Sequence, residues 1–218
     1  MGSNAMLQPL DRTKLDESDD ALFYDAPRFV THIDEGFIQQ LTELYGDRLQ
    51  PHTQILDLMS SWVSHLPDFE FAHVEGHGLN AEELARNPRL DHFFTQNLNQ
   101  QQLLPFPDQH FDAVLNTVSV QYLQRPEAVF AEIYRVLKPG GRAIISFSNR
   151  MFYQKAIQAW REASEAKRVQ LVQGYFASIP GFGEIEAIAV PSSLPPILRM
   201  MGLPGGDPFY AVLARRVF

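Results

Sequence analysis

The amino-acid sequence contains no cysteine. This absence excludes disulfide bonds, thiolate nucleophiles and cysteine-based zinc sites, and it fits a reducing compartment such as the cytoplasm. No apolar run approaches the roughly 18–20 residues that a membrane span needs, and no signal peptide is visible. The sequence therefore predicts a cytoplasmic protein that does not cross a membrane.

Positive charge is scarce as well. The chain has 18 Lys and Arg residues against 26 Asp and Glu residues, which gives a formal net charge of −8. An acidic chain of this kind disfavours a nucleic-acid backbone as the main partner, although a local basic patch would still permit one. We therefore expect no nucleic-acid partner.

Several phosphate and nucleophile motifs are missing too. The sequence has no P-loop, no dinucleotide fingerprint and no nucleophile elbow. We interpret Gly181-Phe182-Gly183 and Pro204-Gly205-Gly206 as turns, because no helix start follows either of them at the required spacing. An enzyme that binds NAD or a nucleotide sugar is disfavoured for the same reason.

Seven histidines raise the question of a metal site. His65, His73 and His77 are spread over a loop and a strand end, without helical spacing and without cysteine partners. We interpret them as structural or solvent-exposed residues and predict no metal site.

Composition and length favour one α/β domain, since 45% of the 218 residues are hydrophobic. Met1-Gly2-Ser3-Asn4-Ala5 resembles a tag remnant, and residues 7–22 are polar, acidic and without periodicity. We expect residues 1–22 to be this remnant and a flexible or loosely docked arm. Residues 23–218 are expected to form a single domain.

Strand and helix patterns alternate along this domain. Strands are expected at 54–59, 69–74 (ending at Gly76-His77-Gly78), 90–95, 111–118, 142–147, 185–190 and 209–217. Helices are expected at 34–48 capped by Asp34, 81–87 capped by Asn80, from Pro126 to a stop and turn at Pro139-Gly140-Gly141, and at 152–172. Such alternation predicts a doubly wound parallel sheet with helices on both faces, whose ligands bind beyond the carboxyl ends of the strands.

Three stretches carry a family resemblance. They are Ile55-Leu56-Asp57, the run from Leu104 to Asp112 (LPFPDQHFD) and the run from Arg135 to Gly141 (RVLKPGG). In order and spacing they resemble class I S-adenosylmethionine-dependent methyltransferases of the type 11 group, over roughly residues 50–150. The resemblance implies a Rossmann-like, seven-stranded, mostly parallel sheet with one antiparallel strand near the end.

The first motif departs from the family pattern. Family members have an acid followed by alternating glycines, whereas here Asp57 is followed by Met59, Ser61 and Val63 at the three glycine positions. Glycine permits positive φ and a close approach of the backbone to the cofactor. The resemblance implies that Asp57 lies near the cofactor amino group, unless it only caps backbone. The hydroxyls of Ser60 and Ser61 then bind either the cofactor or local backbone.

Other implied contacts follow the next strands. Gly78 stands where the family has an acid for the ribose hydroxyls, and Asn80 can make part of that contact or serve only as a helix cap. Asn97 stands where an acid meets the adenine amine. Asn116 faces the methyl donor or satisfies a buried turn. The implied cofactor-binding set is Asp57, Met59, Ser60, Ser61, Gly78, Leu79, Asn80, Asn97, Leu98 and Asn116.

The resemblance implies methyl transfer from S-adenosylmethionine to a small-molecule acceptor. No catalytic residue is assigned, and only Tyr122 and His32 are candidates for a general base. Arg28 and His32, in the lead-in, either cover the pocket or serve packing. The alternative is a degenerate cofactor-binding or protein-interaction module, which the missing glycines and ribose acid favour. Neither the acceptor nor the oligomeric state can be read from the sequence.

Overall fold

The computed structural model describes residues 6–192 and 206–218. The interpreted tag remnant and the Pro204-Gly205 part of one predicted turn lie outside these residues. The strands are β1 Gln54–Leu58, β2 His73–Gly78, β3 His92–Thr95, β4 Phe111–Thr117, β5 Leu137–Phe147, β6 Phe182–Val190 and β7 Phe209–Arg216. The helices are α1 Asp20–Phe23, α2 Glu35–Arg48, α3 Ala81–Ala85, α4 Pro126–Val136, α5 Gln158–Arg161 and α6 Glu165–Ala177.

All seven strands join one sheet in the order β3-β2-β1-β4-β5-β7-β6. β1 to β5 run parallel, and β7 is antiparallel to both β5 and β6. The strand order therefore reverses between β1 and β4, and at such a reversal the carboxyl ends of the strands open a crevice for a ligand. The predicted fold class, including its antiparallel strand near the end, is confirmed.

Helices cover both faces of the sheet. Apolar residues of α4 and α6 pack in one core cluster, and those of α2 pack in the other. The predicted cap of α2 is present, because Asp34 Oδ1 accepts a hydrogen bond from the Phe37 backbone N–H at 2.8 Å. No described helix is long and apolar enough to cross a membrane.

The connection from β1 to β2 contains no helix. Residues 59–72 form an irregular segment, and its Leu66 and Phe71 pack against the core cluster of α2. This face of the sheet is therefore covered by an irregular segment where a doubly wound fold usually places a helix. The segment begins directly after the first motif, which lacks the family's glycines. The backbone of this part of the site therefore differs from the family pattern as well.

The second strand begins later than the sequence predicts. β2 pairs with β1 from His73 onwards, and Gly76-His77-Gly78 are its last three residues. A Cβ at Gly76 would overlap the Leu90 side chain, and one at Gly78 would lie 2.7 Å from the Ser60 carbonyl oxygen. The glycines are therefore needed for close packing against the strand, and the prediction of strand 69–74 is wrong in its bounds.

The Pro139-Gly140-Gly141 stretch lies within β5. α4 ends at Val136, β5 starts at Leu137, and the pairing with β4 shifts register before Arg142. Gly140 has φ +81°, and a Cβ at Gly141 would lie 2.9 Å from the backbone oxygens of Asp112 and Lys138. The predicted stop and turn is therefore a bulge at the start of a longer strand.

The predicted helix over 152–172 is wrong in its bounds. The structure has the short α5 and then α6, whose cap Ser164 accepts from the Lys167 N–H. Before α5, Ile157 is extended and its N–H donates to the Gln121 carbonyl at 3.0 Å. This contact with the segment after β4 takes the backbone out of the helical path.

Residues 6–22 pack against the rest of the chain, which differs from the expected loose arm. The Leu7 side chain is 3% exposed and belongs to the core cluster of α4 and α6. The Lys14 ammonium pairs with Asp20 at 2.6 Å, and the Arg12 guanidinium binds Glu127 of α4. The polar composition that predicts disorder instead supplies specific ion pairs.

Candidate functional site

A cavity of about 350 Å³ lies at the carboxyl ends of β1, β2 and β4. Its size falls within the range of small-molecule sites. The segments after β1, β2, β3 and β4 form one part of its wall, and the lead-in before α2 and the segment after β5 also line it. The predicted cofactor-binding residues that line it are Asp57, Met59, Ser60, Ser61, Gly78, Leu79, Asn80, Asn97 and Leu98.

Asn116 is the member of the predicted set that the structure places outside the lining. Its side chain is 1% exposed, and Nδ2 donates to the Leu58 carbonyl oxygen at 3.1 Å. This bond joins the ends of β4 and β1. The geometry favours the buried structural role over a direct contact with a ligand.

Asp57, at the end of β1, is a largely buried acid. Ser60 Oγ donates to Asp57 Oδ2 at 2.6 Å, and no cation of the described chain forms an ion pair with it. Burial raises the pKa of Asp57 to about 6, because charge is poorly solvated there, and the Ser60 bond opposes this only in part. The cavity therefore contains an acid that a cationic ligand group would stabilise in its ionised form.

The loop after β1 is held by His77 of β2. Met59 has φ +59°, so the first glycine position keeps a backbone conformation that favours glycine. The Met59 N–H donates to His77 Nδ1 at 3.0 Å, and the Ser60 N–H donates to the His77 carbonyl at 2.6 Å. His77 Nε2 then donates to the Gln96 carbonyl, which identifies the neutral tautomer. Burial lowers the pKa of His77 to about 4, so this link is uncharged at neutral pH.

Both loop hydroxyls are engaged within the chain. Ser60 binds Asp57, and Ser61 Oγ donates to Glu83 Oε2 at 2.6 Å. Asn87 Nδ2 holds the Ser61 and Val63 carbonyls from the end of α3. The two hydroxyls thus stabilise the loop, and a ligand would compete with these hydrogen bonds.

The ribose position offers no acid and no room for one. A Cβ at Gly78 would lie 2.7 Å from the Ser60 backbone oxygen, so the rebuilt loop occupies that space. Asn80 is the cap of α3, since its Oδ1 accepts from the Glu83 N–H, and its Nδ2 binds the Tyr24 carbonyl at 2.8 Å. The position of the loop after β1 therefore requires a glycine at residue 78, because a side chain there would overlap the loop backbone.

Asn97 is engaged at both ends of its amide. Nδ2 donates to Asp19 Oδ1 at 3.0 Å, and Oδ1 accepts from the Asn99 N–H at 3.0 Å. An adenine contact at Asn97 would compete with Asp19 of the N-terminal segment. The sequence could not indicate this competition, because the two residues are 78 positions apart.

Three lining residues that sequence reasoning did not select as ligand contacts carry buried polar atoms without a partner in the described part of the chain. They are Arg28 Nη1, His65 Nδ1 and Ser119 Oγ; Asp20 Oδ1, also without a hydrogen bond among the described residues, lies 3.5 Å from the Lys155 ammonium. Burial lowers the pKa of His65 to about 4, so its imidazole is neutral at pH 7. Ser119 follows β4, and its position at a strand end was the available sequence signal.

The two candidate bases differ in their chemistry. Tyr122 OH accepts from the Phe152 N–H at 2.8 Å, and burial raises the pKa of Tyr122 to about 12. That phenol keeps its proton at neutral pH. His32 lies 5.1 Å from the Phe152 ring, and partial burial lowers its pKa, so it can accept a proton at pH 7. Among the described residues there is no group of three side chains suited to a metal ion.

Comparison with known proteins bears on this arrangement. Residues 70–145 match the family model of the methyltransferase domain. The ubiquinone/menaquinone biosynthesis C-methyltransferase UbiE of Cupriavidus necator is 32% identical over 90 residues, which cover 41% of this chain and 32% of the relative. The biotin biosynthesis bifunctional protein BioHC of Teredinibacter turnerae is 34% identical over 73 residues, which cover 34% of this chain and 13% of the relative. The chain thus spans less than a third of these two relatives.

Solved structures share the fold at low identity. An S-adenosylmethionine-dependent methyltransferase from Mesorhizobium loti superimposes with a TM-score of 0.52 at 17% identity and covers 80% of this chain and 96% of that one. The [4+2]-cyclase SpnF superimposes with a TM-score of 0.56 at 19% identity and covers 81% and 80%. At such identities the likeness establishes the fold.

The strand order is that of the class I methyltransferase fold, and residues 70–145 match the methyltransferase-domain model. The resemblance to S-adenosylmethionine-dependent methyltransferases that the sequence predicts is confirmed, and this class implies S-adenosylmethionine as the cofactor. The described residues fit that group in two respects. The cavity lies at the strand reversal, and the Asp57 carboxyl faces it without a cation. The ribose contact is the respect in which they depart from the family.

Proposed function

We propose that this chain transfers a methyl group from S-adenosylmethionine to a small-molecule acceptor. The observation that supports this most is the Asp57 carboxyl at the carboxyl end of β1, which lines the cavity and has no cationic partner among the described residues. The relatives named for ubiquinone/menaquinone and biotin biosynthesis favour a small acceptor. We place the reaction in the cytoplasm, without nucleic acid as a partner.

The cofactor supplies a methyl group that its positively charged sulfur already activates. Asp57 would hold the cofactor's cationic amino end, and the loop from Met59 to Ser61 would contact it through backbone. Tyr24, His32 and Phe152 also line the cavity, and their rings would limit access of water. Alignment and exclusion of water then account for most of the catalysis.

For acceptors that must lose a proton, His32 is the candidate that can take it. Its lowered pKa leaves the imidazole neutral at pH 7, whereas the Tyr122 phenol stays protonated. We assign no other catalytic residue. The contacts of the other predicted cofactor-binding residues that line the cavity are part of this proposal, as is the single domain over 23–218.

A second candidate is a cofactor-binding or interaction module without turnover. It is favoured by the loop after β1, which lacks glycine and a following helix and leaves no room for an acid at Gly78. Under this alternative the ligand binds and no methyl group is transferred. The fold alone does not decide, since a cyclase shares it.

We expect titration calorimetry to detect S-adenosylmethionine and S-adenosylhomocysteine, with Asp57→Asn weakening both by about tenfold or more through loss of a charge-assisted bond. Because a cationic group binds the ionised acid, affinity of the unmodified chain should rise from pH 5 to pH 7 and then level off. Asp57→Asn should abolish this rise.

The same substitution should stabilise the ligand-free protein. The folded-state pKa of Asp57 is raised from 3.8 to about 6, so the native state holds the proton more tightly and stability falls as pH rises from about 4 to 6. Above pH 6, Asp57→Asn should raise the free energy of unfolding by roughly 1–3 kcal/mol. This is the stability that a pKa shift of this size costs when the carboxyl is still accessible from the cavity. Urea unfolding measures this.

Asp68→Asn is the matched control, because Asp68 is fully exposed and does not line the cavity. It should change neither affinity nor stability. If Asp57→Asn also leaves the affinity and its pH dependence unchanged, Asp57 does not bind the cofactor. Release of S-adenosylhomocysteine with a panel of quinol and carboxylic acid acceptors then separates the enzyme from the module.

A further inference from the structure

Arg28 of the lead-in lines the cavity and is fixed on several sides. Its backbone N–H donates to Glu83 Oε1 at 2.7 Å, and its Nη2 donates to the Phe23 carbonyl at 2.7 Å. The guanidinium carbon lies 4.6 Å from the ring centre of Phe23 and 5.6 Å from those of Tyr24 and Phe152. The side chain therefore lies between the end of α1 and the segment after β5.

These aromatic contacts leave part of the guanidinium unused. Rings stabilise a cation over their faces, whereas guanidinium N–H bonds point outward in its own plane. Nη1 of Arg28 is buried and has no acceptor in the described part of the chain. A buried N–H without an acceptor destabilises the protein unless a bound group completes it.

Apart from Asp57, the other charged side chains that line the cavity have partners. Glu83 accepts from Ser61 and from the Arg28 backbone, Asp20 pairs with Lys14, and Arg150 pairs with Asp207 at 2.7 Å. Within residues 6–192 and 206–218, Arg28 forms no ion pair. The cavity wall thus contains a guanidinium that lacks a counter-ion.

We propose that Arg28 is the binding site for a carboxylate of the bound ligand. Arginine suits this role because its planar N–H groups match a carboxylate, and Arg28 lines the cavity in which a ligand would lie. The carboxylate belongs either to the amino-acid end of the cofactor or to an acidic acceptor. The first source rests on the proposed function and the second does not.

Two matched ligand pairs separate these sources. S-adenosylhomocysteine is compared with its decarboxylated analogue, and octanoate and benzoate are compared with octanamide and benzamide. Calorimetry is performed on the unmodified chain, on Arg28→Gln and on Arg28→Lys. A charge-assisted bond predicts a preference of about tenfold to hundredfold for the carboxylate, lost in Arg28→Gln and partly kept in Arg28→Lys.

Arg86→Gln is the control, because Arg86 also stacks on a ring, that of Phe29 at 3.8 Å, but does not line the cavity. Thermal unfolding of every variant establishes that it is folded. Loss of the preference in the nucleoside pair assigns the carboxylate to the cofactor, and loss in the acid pairs assigns it to the acceptor.

Two further results are decisive. If no pair shows a preference, or if folded Arg28→Gln keeps the preference, the carboxylate site is overturned. If the unmodified chain binds neither nucleoside but prefers acids in an Arg28-dependent way, the methyltransferase proposal fails and the carboxylate site stands.

Discussion

Replacing Lys155 by methionine is expected to lower the free energy of unfolding by about 3–5 kcal/mol, the usual cost of breaking a buried ion pair by removing one partner. The Lys155 side chain is 0% exposed. Its ammonium donates to the Ser18 carbonyl at 2.8 Å and lies 3.0 Å from Asp16 Oδ2 and 3.5 Å from Asp20 Oδ1. Methionine fills similar space but leaves these oxygens without their cation.

The loss should be concentrated in the N-terminal segment. Asp20 and Tyr24 line the cavity, so release of residues 16–24 would also weaken ligand binding. Urea unfolding measures the stability, and amide hydrogen exchange should show faster exchange at Ala21 and Tyr24, whose N–H groups donate within this segment.

Lys167→Met is the control, since Lys167 is exposed and its ammonium, among the described residues, binds Gln170 alone, at 3.5 Å. Surface changes of this kind usually stay within about 0.5 kcal/mol. Equal stability of the two variants would contradict a structural role for the buried ammonium. Arg12 and Lys14 would then be the groups that hold the segment, through Glu127 and Asp20.

The sequence predicts the parts of the fold that depend on local pattern. Val129, Phe130, Ile133 and Val136 recur at helical spacing, and all four are buried in α4. Asp34 and Asn80 cap α2 and α3 because capping needs only a residue type and its neighbours. The family resemblance then implied the seven-stranded, mostly parallel sheet with an antiparallel strand near its end.

The parts that sequence reasoning missed depend on distant contacts. The bulge in β5 arises where Gly141 meets the Asp112 carbonyl of β4, and the interruption before α5 arises where Ile157 binds Gln121. The polar character of residues 7–22 predicts a loose arm, yet Lys155 and Glu127 supply partners more than 100 positions away. A prediction based on neighbouring residues cannot identify these partners.

The site likewise has features that the sequence predicts and features that it does not. Strand ends are readable from the pattern, and nine of the ten predicted cofactor-binding residues line one cavity. What each side chain does there is not readable, because Ser61 is held by Glu83 and Asn97 by Asp19, across loops whose approach only the fold determines. His77 acquires its role in the same manner, through its bonds to Met59 and Gln96.

Gly78→Asp introduces the acid that the family has at the ribose position. We expect this substitution to destabilise the site and to weaken ligand binding. A Cβ at position 78 would lie 2.7 Å from the Ser60 carbonyl oxygen and 3.3 Å from the Leu84 side chain. The loop would have to move, which breaks the bonds from Met59 and Ser60 to His77, and a carboxylate would be buried without a cation. Overpacking together with the buried charge predicts a loss of about 2–4 kcal/mol in unfolding free energy.

Gly46→Asp is the matched control, because nothing lies within 4 Å of a Cβ there and aspartate is no worse than glycine within a helix. Urea unfolding and titration with S-adenosylhomocysteine should show weaker binding only for Gly78→Asp. Tighter binding by a stable Gly78→Asp protein would mean that the loop yields at little cost. The departure at Gly78 would then not be imposed by the loop, and the module without turnover would lose its main structural support.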